Sequence, residues 1–382
     1  SATLVHPENE RPIANIAHID WVERTDEISI RLSGLELDAA NLPHFWSLFH
    51  DRMLTHRYLH QKKLRISATD VTINSNRTPL TFRDIDMWIS SEIKPRIDGE
   101  GYRCEALEAE VEMLPSDAID AQPIRVQIRR QIRPELLTQW SIKTGPNSLP
   151  CPALATLCGG GWLHTLGDQA RMQGTLAGVI REDSSRLNLS GLHCQGITLD
   201  HLFENAPNRL TGIASVKLDR CLLDPDAGLV DIVAAIEARN GLIETSMLRN
   251  TQRFLGFKIA NFNEDRLDVE YDLMSFSIKV DGEQMRIDGL CRDEPGYKGV
   301  GYGVVAGVGG QAIAKSADSQ TATLNLLSIV APSGSPLVPL SHSNRTLANW
   351  LLAPASPHSS SGMPRIRSAR SPENGPTISQ PY

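Results

Sequence analysis

Apolar and polar residues alternate with a period of two along most of the chain. In the run EISIRL (27–32), for example, Ile28, Ile30 and Leu32 share one side. Such alternation is typical of an antiparallel β-sheet with one face on a core and one face in water. The other alternating runs are KLRISATDVTI (63–73), LTFRDIDMWI (80–89, with one change of phase), ALEAEVEML (106–114), IRVQIRRQI (124–132), GIASVKLDRCLL (212–223), RLDVEYDLMSFSIKV (266–280) and QMRIDGL (284–290). These patterns predict a mainly β protein.

Apolar residues at helical spacing are rare, which predicts only a few helices. They occur at 42–59, at 245–257 and, over a shorter stretch, at 345–353. In the second of these, Thr245 or Ser246 can act as the N-cap and Gly256 as the C′ residue. We interpret this segment as a helix that caps one edge of the sheet. The residues that would dock it are Met247, Leu248, Phe254 and Leu255.

One sequence segment occurs in two similar copies, LSGLELDAANLPHF (32–45) and LSGLHCQGITLDHL (189–202). Each copy predicts a strand, a bend at glycine, a short strand and the start of a helix. Duplicated β-units suit an elongated sheet whose units cover one another's open edges. The predicted organisation is an irregular N-terminal segment (1–18), a first β-unit (19–150) with the helix at 42–59, a second β-unit (151–345) with the helix at 245–257, and a Ser- and Pro-rich tail (354–382) that is expected to be disordered.

Composition and charge exclude some functions. The formal net charge of −7 argues against a general nucleic-acid binder. The six cysteines are interpreted as small buried side chains, although Cys151 and Cys158 would be able to bridge in an oxidising compartment. His56 and His60 would share a helical face, but Arg57 between them would oppose a cation, so no metal is expected.

Sites for catalysis are not evident. The chain has no G-x-S-x-G elbow, and the glycine-rich run GVGYGVVAGVGG (299–310) lacks the Lys that a phosphate-binding loop requires. That run is interpreted as a glycine-rich strand or bulge. No cofactor is expected, and the protein is not expected to be an enzyme.

A longer stretch carries a resemblance to a known family. It includes LSGLHCQGITLDHLF (189–203), RLTGIASVKLDRCLL (209–223), the segment 229–257 and the two-strand ending at 266–290. Over roughly residues 160–330 the chain resembles the C-terminal region of the AsmA-like family of bacterial envelope proteins, of planctomycete type. The matching residues are Leu189, Gly191, Leu199, Asp200, Leu202, Arg209, Leu210, Gly212, Ala214, Gly241, Ile243, Ser246, Leu248, Phe254, Leu255, Gly256 and Gly289.

The resemblance implies a fold and a setting. The fold would be an elongated antiparallel sheet curled into an apolar groove of the repeating β-groove type, with a few short capping helices. The setting would be the periplasmic face of the cell envelope, with a role in lipid handling or outer-membrane biogenesis. Because the chain has no run of about 18 apolar residues, an inner-membrane anchor is expected upstream of Ser1. The family supplies no catalytic residues.

The side chains expected to line the groove stand at alternating positions of the strands. There they would meet acyl chains instead of a second sheet, although each residue taken singly also suits an ordinary sandwich core. The candidates are Leu176, Val179, Val216, Leu218, Val269, Tyr271, Phe276 and Ile278. The expected partners are lipid acyl chains or another envelope protein.

Two alternatives stay open. One is a closed β-sandwich without a ligand, a scaffold that binds another envelope protein through its strand edges. The other is a carbohydrate-active β-enzyme, which would need aromatic platforms although aromatic residues make up only 5% of the chain.

Overall fold

The protein is mainly β, as the alternation predicts, with 62% of the described residues in strands and 16% in helices. The computed structural model describes residues 2–5, 12–55, 59, 62–74, 79–95, 102–117, 122–152, 161–181, 184–204, 206, 208–224, 227–260 and 266–330. The helix predicted at 345–353 and the tail at 354–382 lie outside these residues.

Twenty-one strands belong to one sheet. In the first half they are β1 Ala2–Val5, β2 Pro12–Glu23, β3 Glu27–Asp38, β4 Lys63–Asn74, β5 Leu80–Pro95, β6 Tyr102–Pro115, β7 Ile124–Gln131, β8 Leu137–Lys143 and β9 Leu149–Pro150. In the second half they are β10 Arg171–Gln173, β11 Thr175–Arg181, β12 Ser185–Asn188, β13 Leu192–Thr198, β14 Ile213–Asp224, β15 Leu229–Glu244, β16 Lys258–Ile259, β17 Asp268–Asp281, β18 Gln284–Gly289, β19 Val304–Val308, β20 Gln311–Lys315 and β21 Thr321–Ala322. Every alternating run quoted above forms a strand.

Neighbouring strands pair along one continuous path. It runs from β1 in chain order to β8, crosses to β11, β12 and β14, and continues through β15 and β17 to β18. Every pair is antiparallel except β3 with β4, which is parallel. The sheet is therefore mixed, and it is not closed.

Shorter strands attach to this path in its second half. β13 pairs with β14 and β10, and β10 pairs with β9. β19 pairs with β17 and β20, β20 pairs with β16, and β21 pairs with β18. β8 and β11 are hydrogen-bonded over seven residue pairs, so one sheet runs through both predicted units.

Four short helices lie in the described residues: α1 Leu42–Ser47, α2 Leu199–Leu202, α3 Thr245–Leu255 and α4 Leu324–Val330. The single helix predicted at 42–59 is instead broken, because α1 passes into a π-helical turn at Leu48–Arg52 and a 3₁₀ turn at Met53–Thr55. The break serves packing. Phe45 and Leu48 contact one apolar cluster, whereas Phe49 and Leu54 belong to another. A π-helical turn changes the direction in which successive side chains point.

The predicted helix at 245–257 exists as α3, with one correction. Gly256 has a φ of 70° and ends the helix, as expected of a glycine in the left-handed region. The N-cap, however, is Glu244 and not Thr245 or Ser246. The hydroxyl of Thr245 donates instead to the carbonyl of Arg266, at 2.6 Å, and so it holds the neighbouring loop rather than the helix.

The N-terminal segment is also corrected. Residues 1–18, expected to be irregular, include β1 and the first part of β2. Ile13, Ala14 and Ile16 of β2 are buried. In this run the apolar residues do not alternate strictly, and pairing with β1 and β3 overrides the weak local pattern.

Candidate functional site

A row of apolar side chains crosses the first half of the sheet at right angles to the strands. Each member lies directly opposite the next, and directly opposed residues point to the same side of a sheet. The row consists of Ile30, Ile66, Met87, Val111, Val126, Ile142 and Leu176. We call it the central row. Its six steps of about 4.8 Å give it a length of about 29 Å.

All seven side chains of the central row are only half-buried. Large aliphatic residues at the centre of a β-sandwich are normally buried almost completely, because the inner faces of the two sheets interdigitate. In the central row, Ile30, Ile66, Met87 and Val126 pack against one apolar cluster and Ile142 and Leu176 against another, but none of the seven is buried completely. The row is therefore an apolar strip with partial access to solvent.

A second row next to it is buried. It contains Ile28, Leu64, Ile89, Ala109 and Ile128, which are between 1% and 7% exposed. Phe49, Leu54 and Leu59 pack over this row. The helical segment 42–55 therefore buries this row, whereas the central row beside it stays half-buried.

The apolar face continues across β13, β14, β15 and β17 in two shorter rows. One row consists of Cys194, Val216, Ile236 and Phe276, and the other of Leu192, Leu218, Ala234 and Ile278. They place four of the predicted groove residues on the same face, and the central row holds a fifth, Leu176. Val216, Leu218 and Phe276 are half-buried, whereas Ile278 is 8% exposed and belongs to the core.

Val179 does not lie on this face. It stands opposite Gln139 and Arg186, and it is three residues from Leu176, so the pleat turns it to the other side. The sequence around it does not alternate clearly, because the small residues at 177 and 178 separate Leu176 from Val179 and do not show which side of the strand is apolar. Val179 is therefore removed from the predicted set.

The remaining two candidates lie near α3. Val269 stands opposite Ile243, and Tyr271 stands opposite Gly241. Tyr271 is 2% exposed, and its hydroxyl donates to the carbonyl of Thr211 at 2.6 Å. Burial, together with the charge of Asp200, raises the pKa of Tyr271 to about 12. Tyr271 is thus part of the buried core.

The predicted capping helix packs on the same apolar cluster as the groove residues. Leu248 and Leu255 are buried, while Met247 and Phe254 are partly buried against that cluster. Asn325 of α4 donates to the carbonyl of Phe254 at 2.9 Å. The two helices α3 and α4 therefore form one cap.

The opposite face of the sheet is charged. Cross-strand ion pairs there include Arg65–Asp86, Arg125–Glu112 and Arg220–Asp231, and Arg129 pairs with both Glu92 and Glu108. The hydrogen bond that Arg129 donates to Glu92 lowers the pKa of the Glu92 carboxyl group. A depression of about 320 Å³ over β6, β7 and β8 has a mixed lining, which consists of Glu108, Glu110, Gln127, Arg129, Gln139 and Ser141 together with Ala109, Ile128 and Trp140.

One polar cluster stands on the apolar face, beyond the buried row. The hydroxyl of Thr138 lies 2.7 Å from Nε2 of His50 and 3.0 Å from a terminal nitrogen of Arg130. The ring of His50 stacks on Trp46, with the ring centroids 5.3 Å apart. These contacts fix the helical segment 42–55 to β7 and β8.

The two ends of the apolar face differ. At the β2 end, Trp21 stands opposite Ile30 of the central row and is 66% exposed. At the far end, Val280 and Met285 are 4% and 1% exposed and share a cluster with Ile329 of α4. The face is open at one end and covered at the other.

Metal and disulfide chemistry find little support in the described part of the chain. No group of three metal-ligating side chains occurs there. Cys104, Cys151, Cys194, Cys221 and Cys291 are free thiols. His56, His60 and Cys158 lie outside the described residues, so the histidine pair and the alternative Cys151–Cys158 bridge stay predictions.

Of the seven members of the central row, only Leu176 was named as a candidate from the sequence. Each was visible as an alternating apolar residue, but alternation alone does not tell which residues of different strands stand opposite one another. Only the register of hydrogen bonds aligns them.

Comparisons of the chain with known proteins identify no relative. No protein-family model, no curated protein and no solved structure matches the chain. Within the ranges that the structure describes, no helix has the length and apolar composition that crossing a bilayer would take.

Proposed function

We propose that the protein is a non-enzymatic lipid carrier that holds acyl chains against the apolar face of its sheet. The observation that carries this proposal is the central row, whose seven aligned aliphatic side chains are all half-buried. A monomeric protein rarely leaves a continuous apolar strip open to water unless the strip has a ligand or partner.

The energetics favour a long apolar chain as the ligand. Removing one methylene group from water contributes about 0.8 kcal/mol. Ten such groups along the row would contribute about 8 kcal/mol before the cost of ordering the chain. A single hydrogen bond contributes only about 1 kcal/mol. The row offers no polar side chain, so binding would depend on chain length and not on a headgroup.

The setting of this activity rests on the sequence resemblance. The similarity to the AsmA-like family, carried by residues such as Gly191, Asp200 and Gly256, supports a place in the bacterial envelope and a role in outer-membrane biogenesis. The open apolar face agrees with the groove that the resemblance implies. Attachment to the inner membrane would require a further segment of the protein.

A charge placed in the central row tests the proposal. Val126→Asp puts a carboxylate in the middle of the row, and Gln127→Asp puts the same charge on the opposite face one residue away. The probe is a fluorescent fatty acid with 16 carbons, titrated at fixed protein concentration. Val126→Asp is expected to weaken binding at least about tenfold, since a charged group in an apolar site costs well over 1.4 kcal/mol. Gln127→Asp is expected to bind like the parent chain.

Circular dichroism and thermal unfolding of both variants show whether the fold is retained. Equal affinity of the two folded variants for the probe would rule out the central row as the acyl site. Failure of the parent chain to bind any acyl probe would rule out the lipid function as a whole.

A second candidate function is an interaction scaffold. The observation that favours it is the edge of β2: residues 18–23 pair with β3 on one side, whereas on the other side β1 reaches only to Ile16 and no other described strand pairs with them. A free strand edge can accept a strand of another protein. Native mass spectrometry after gentle extraction distinguishes the two functions, because a carrier retains phospholipid and a ligand-free scaffold does not.

A further inference from the structure

We infer that the β2 edge is the mouth of the groove, and that it docks on the surface of a zwitterionic phospholipid bilayer from which acyl chains enter end-on. This inference rests on the proposed lipid function and adds to it the place of entry, the direction and the kind of surface.

The first argument is continuity. Trp21 stands opposite Ile30, and Ile19 stands opposite Leu32. Both residues of β2 therefore extend apolar rows of the groove face by one more strand. Their exposed fractions, 66% and 42%, are far higher than those of the residues opposite them. The apolar strip thus runs out to the free edge without a polar barrier.

The second argument is that the edge is apolar on both faces. Val22 lies between Trp21 and Glu23 on the strand, so it points to the face opposite Trp21, and it is 53% exposed. A residue that only lined the groove would need no apolar neighbour on the outer face. A strand edge that enters a lipid interface meets apolar material on both sides. Tryptophan suits this position, because its ring is largely apolar and its N–H can still reach water or headgroups.

The third argument is the closed far end. Leu326 and Ile329 of α4 pack on the cluster that contains Val280 and Met285. Asn208 holds α4 in place by donating to the carbonyl of Ile329 at 2.7 Å. An acyl chain that enters at β2 therefore meets a wall at the α3–α4 cap. This geometry suits a carrier that loads and unloads at one mouth.

Charge identifies the surface. The part of the sheet around Trp21, formed by residues 18–31 and 62–63, carries four acidic and four basic residues. The acidic residues are Asp20, Glu23, Asp26 and Glu27, and the basic residues are Arg24, Arg31, Lys62 and Lys63. Lys62 pairs with Glu23 at 2.5 Å. A balanced edge has no net attraction for an anionic membrane, so docking on zwitterionic lipid that is insensitive to salt is expected.

The test compares two tryptophan variants of the full chain. Trp21→Ala removes the mouth residue. Trp88→Ala removes a tryptophan that is 37% exposed on the charged face, where Arg65 stacks on its ring. The measurement is the rate at which the protein moves a fluorescent phospholipid between vesicles of dioleoylphosphatidylcholine. Trp21→Ala is expected to slow this transfer by about tenfold, as the loss of a buried aromatic anchor does at interfaces, and Trp88→Ala is expected to leave it unchanged.

Two further measurements test the inference separately from the proposed function. Affinity for the soluble fluorescent fatty acid is expected to be the same in Trp21→Ala and in the parent chain, because the central row is intact. Brominated acyl chains in the vesicles are expected to quench the fluorescence of the parent chain more than that of Trp21→Ala. If Trp21→Ala transferred phospholipid at the parent rate, the β2 edge would not be the entry site. The proposal that the central row binds acyl chains would be unaffected.

A second copy of the chain is the competing occupant of this edge. Analytical ultracentrifugation of the parent chain without vesicles is expected to show a monomer. A dimer that Trp21→Ala dissociates would assign the edge to self-association and overturn the docking on lipid.

Discussion

The indole of Trp140 lies flat against the backbone of Gly178 on the neighbouring strand. The two residues stand directly opposite each other, and a Cβ at Gly178 would come within 2.7 Å of three atoms of the indole. Glycine weakens a strand, and here it is required because a ring occupies the space of its side chain. The pair marks the place where β8 meets β11 and the sheet passes from its first half to its second.

Gly178→Val is expected to destabilise the protein by about 1–3 kcal/mol, because the added side chain overlaps the indole and the strands must separate to admit it. The measurement is the free energy of unfolding in urea. Gly296→Ala is the matched control, since nothing lies within 4 Å of a Cβ at that glycine. Its effect is expected to stay within about 0.5 kcal/mol. Equal effects of the two substitutions would show that Trp140 does not occupy this position.

A charge introduced into α3 is expected to lower the stability of the protein much more on the buried side of the helix than on its exposed side. Leu255 is 5% exposed, Phe254 is partly buried, and Gln252 is exposed. Leu255→Asp is expected to cost about 3–5 kcal/mol, because it buries a carboxylate without a partner. Phe254→Asp is expected to cost less than Leu255→Asp, since water reaches part of its site, and Gln252→Asp least, about 0.5 kcal/mol.

Thermal unfolding followed by circular dichroism measures this series. The expected order of melting temperatures, from lowest to highest, is Leu255→Asp, Phe254→Asp and Gln252→Asp. A melting temperature for Leu255→Asp equal to that of Gln252→Asp would contradict the docking of the helix.

Tyr271 gives the stability a dependence on alkaline pH. Its pKa is raised to about 12 from the usual 10.0 of a tyrosine, first by burial and then by Asp200, so the folded state favours the neutral phenol. The associated stability is complete below about pH 10 and is lost as the pH rises from about 10 towards about 12. Tyr271→Phe is expected to lack this loss. At neutral pH it is expected to be about 1 kcal/mol less stable, because the Thr211 carbonyl loses its hydrogen bond. Urea unfolding of both proteins at pH 7 and at pH 10.5 provides the comparison, and parallel losses of stability would refute the role of Tyr271.

Asn208 is expected to be the residue on which the cap depends most. It is 5% exposed, it donates to the carbonyl of Ile329, and its Oδ1 lies 2.8 Å from the hydroxyl of Ser246. Asn208→Ala leaves the carbonyl of Ile329 without this donor, at a cost of about 1–3 kcal/mol, whereas the hydroxyl of Ser246 can still donate to Oε1 of Glu244 at 2.7 Å. Amide hydrogen exchange is expected to rise in α4 and in the first turn of α3 and to stay unchanged in β4 and β5. Uniformly faster exchange throughout the chain would show that Asn208 supports the whole fold and not the cap.

The strands and the capping helix were predictable because both depend on neighbours in sequence. The alternation in 63–73 and 284–290 directly indicates strands, and the change of phase in 80–89 corresponds to the bulge at Asp84, which has a φ of 51°. The apolar side of α3 follows from the helical spacing of its apolar residues, and its end at Gly256 follows from the freedom of glycine to adopt a positive φ.

By itself the sequence determined which residues form strands, which side of most strands is apolar, and that helices are few, because these properties come from periods of two and 3.6 residues. Only the tertiary structure decided that β3 pairs with β4 in parallel, that Val179 faces the charged side, and that Ile30 and Leu176 belong to one row. Each of these depends on hydrogen bonds between segments far apart in the chain, and a shift of one residue in their register would turn a whole strand over. Whether an apolar side chain is buried or left partly exposed is likewise set by what packs over it, as Phe49 and Leu54 do over the row that contains Ile28 and Leu64.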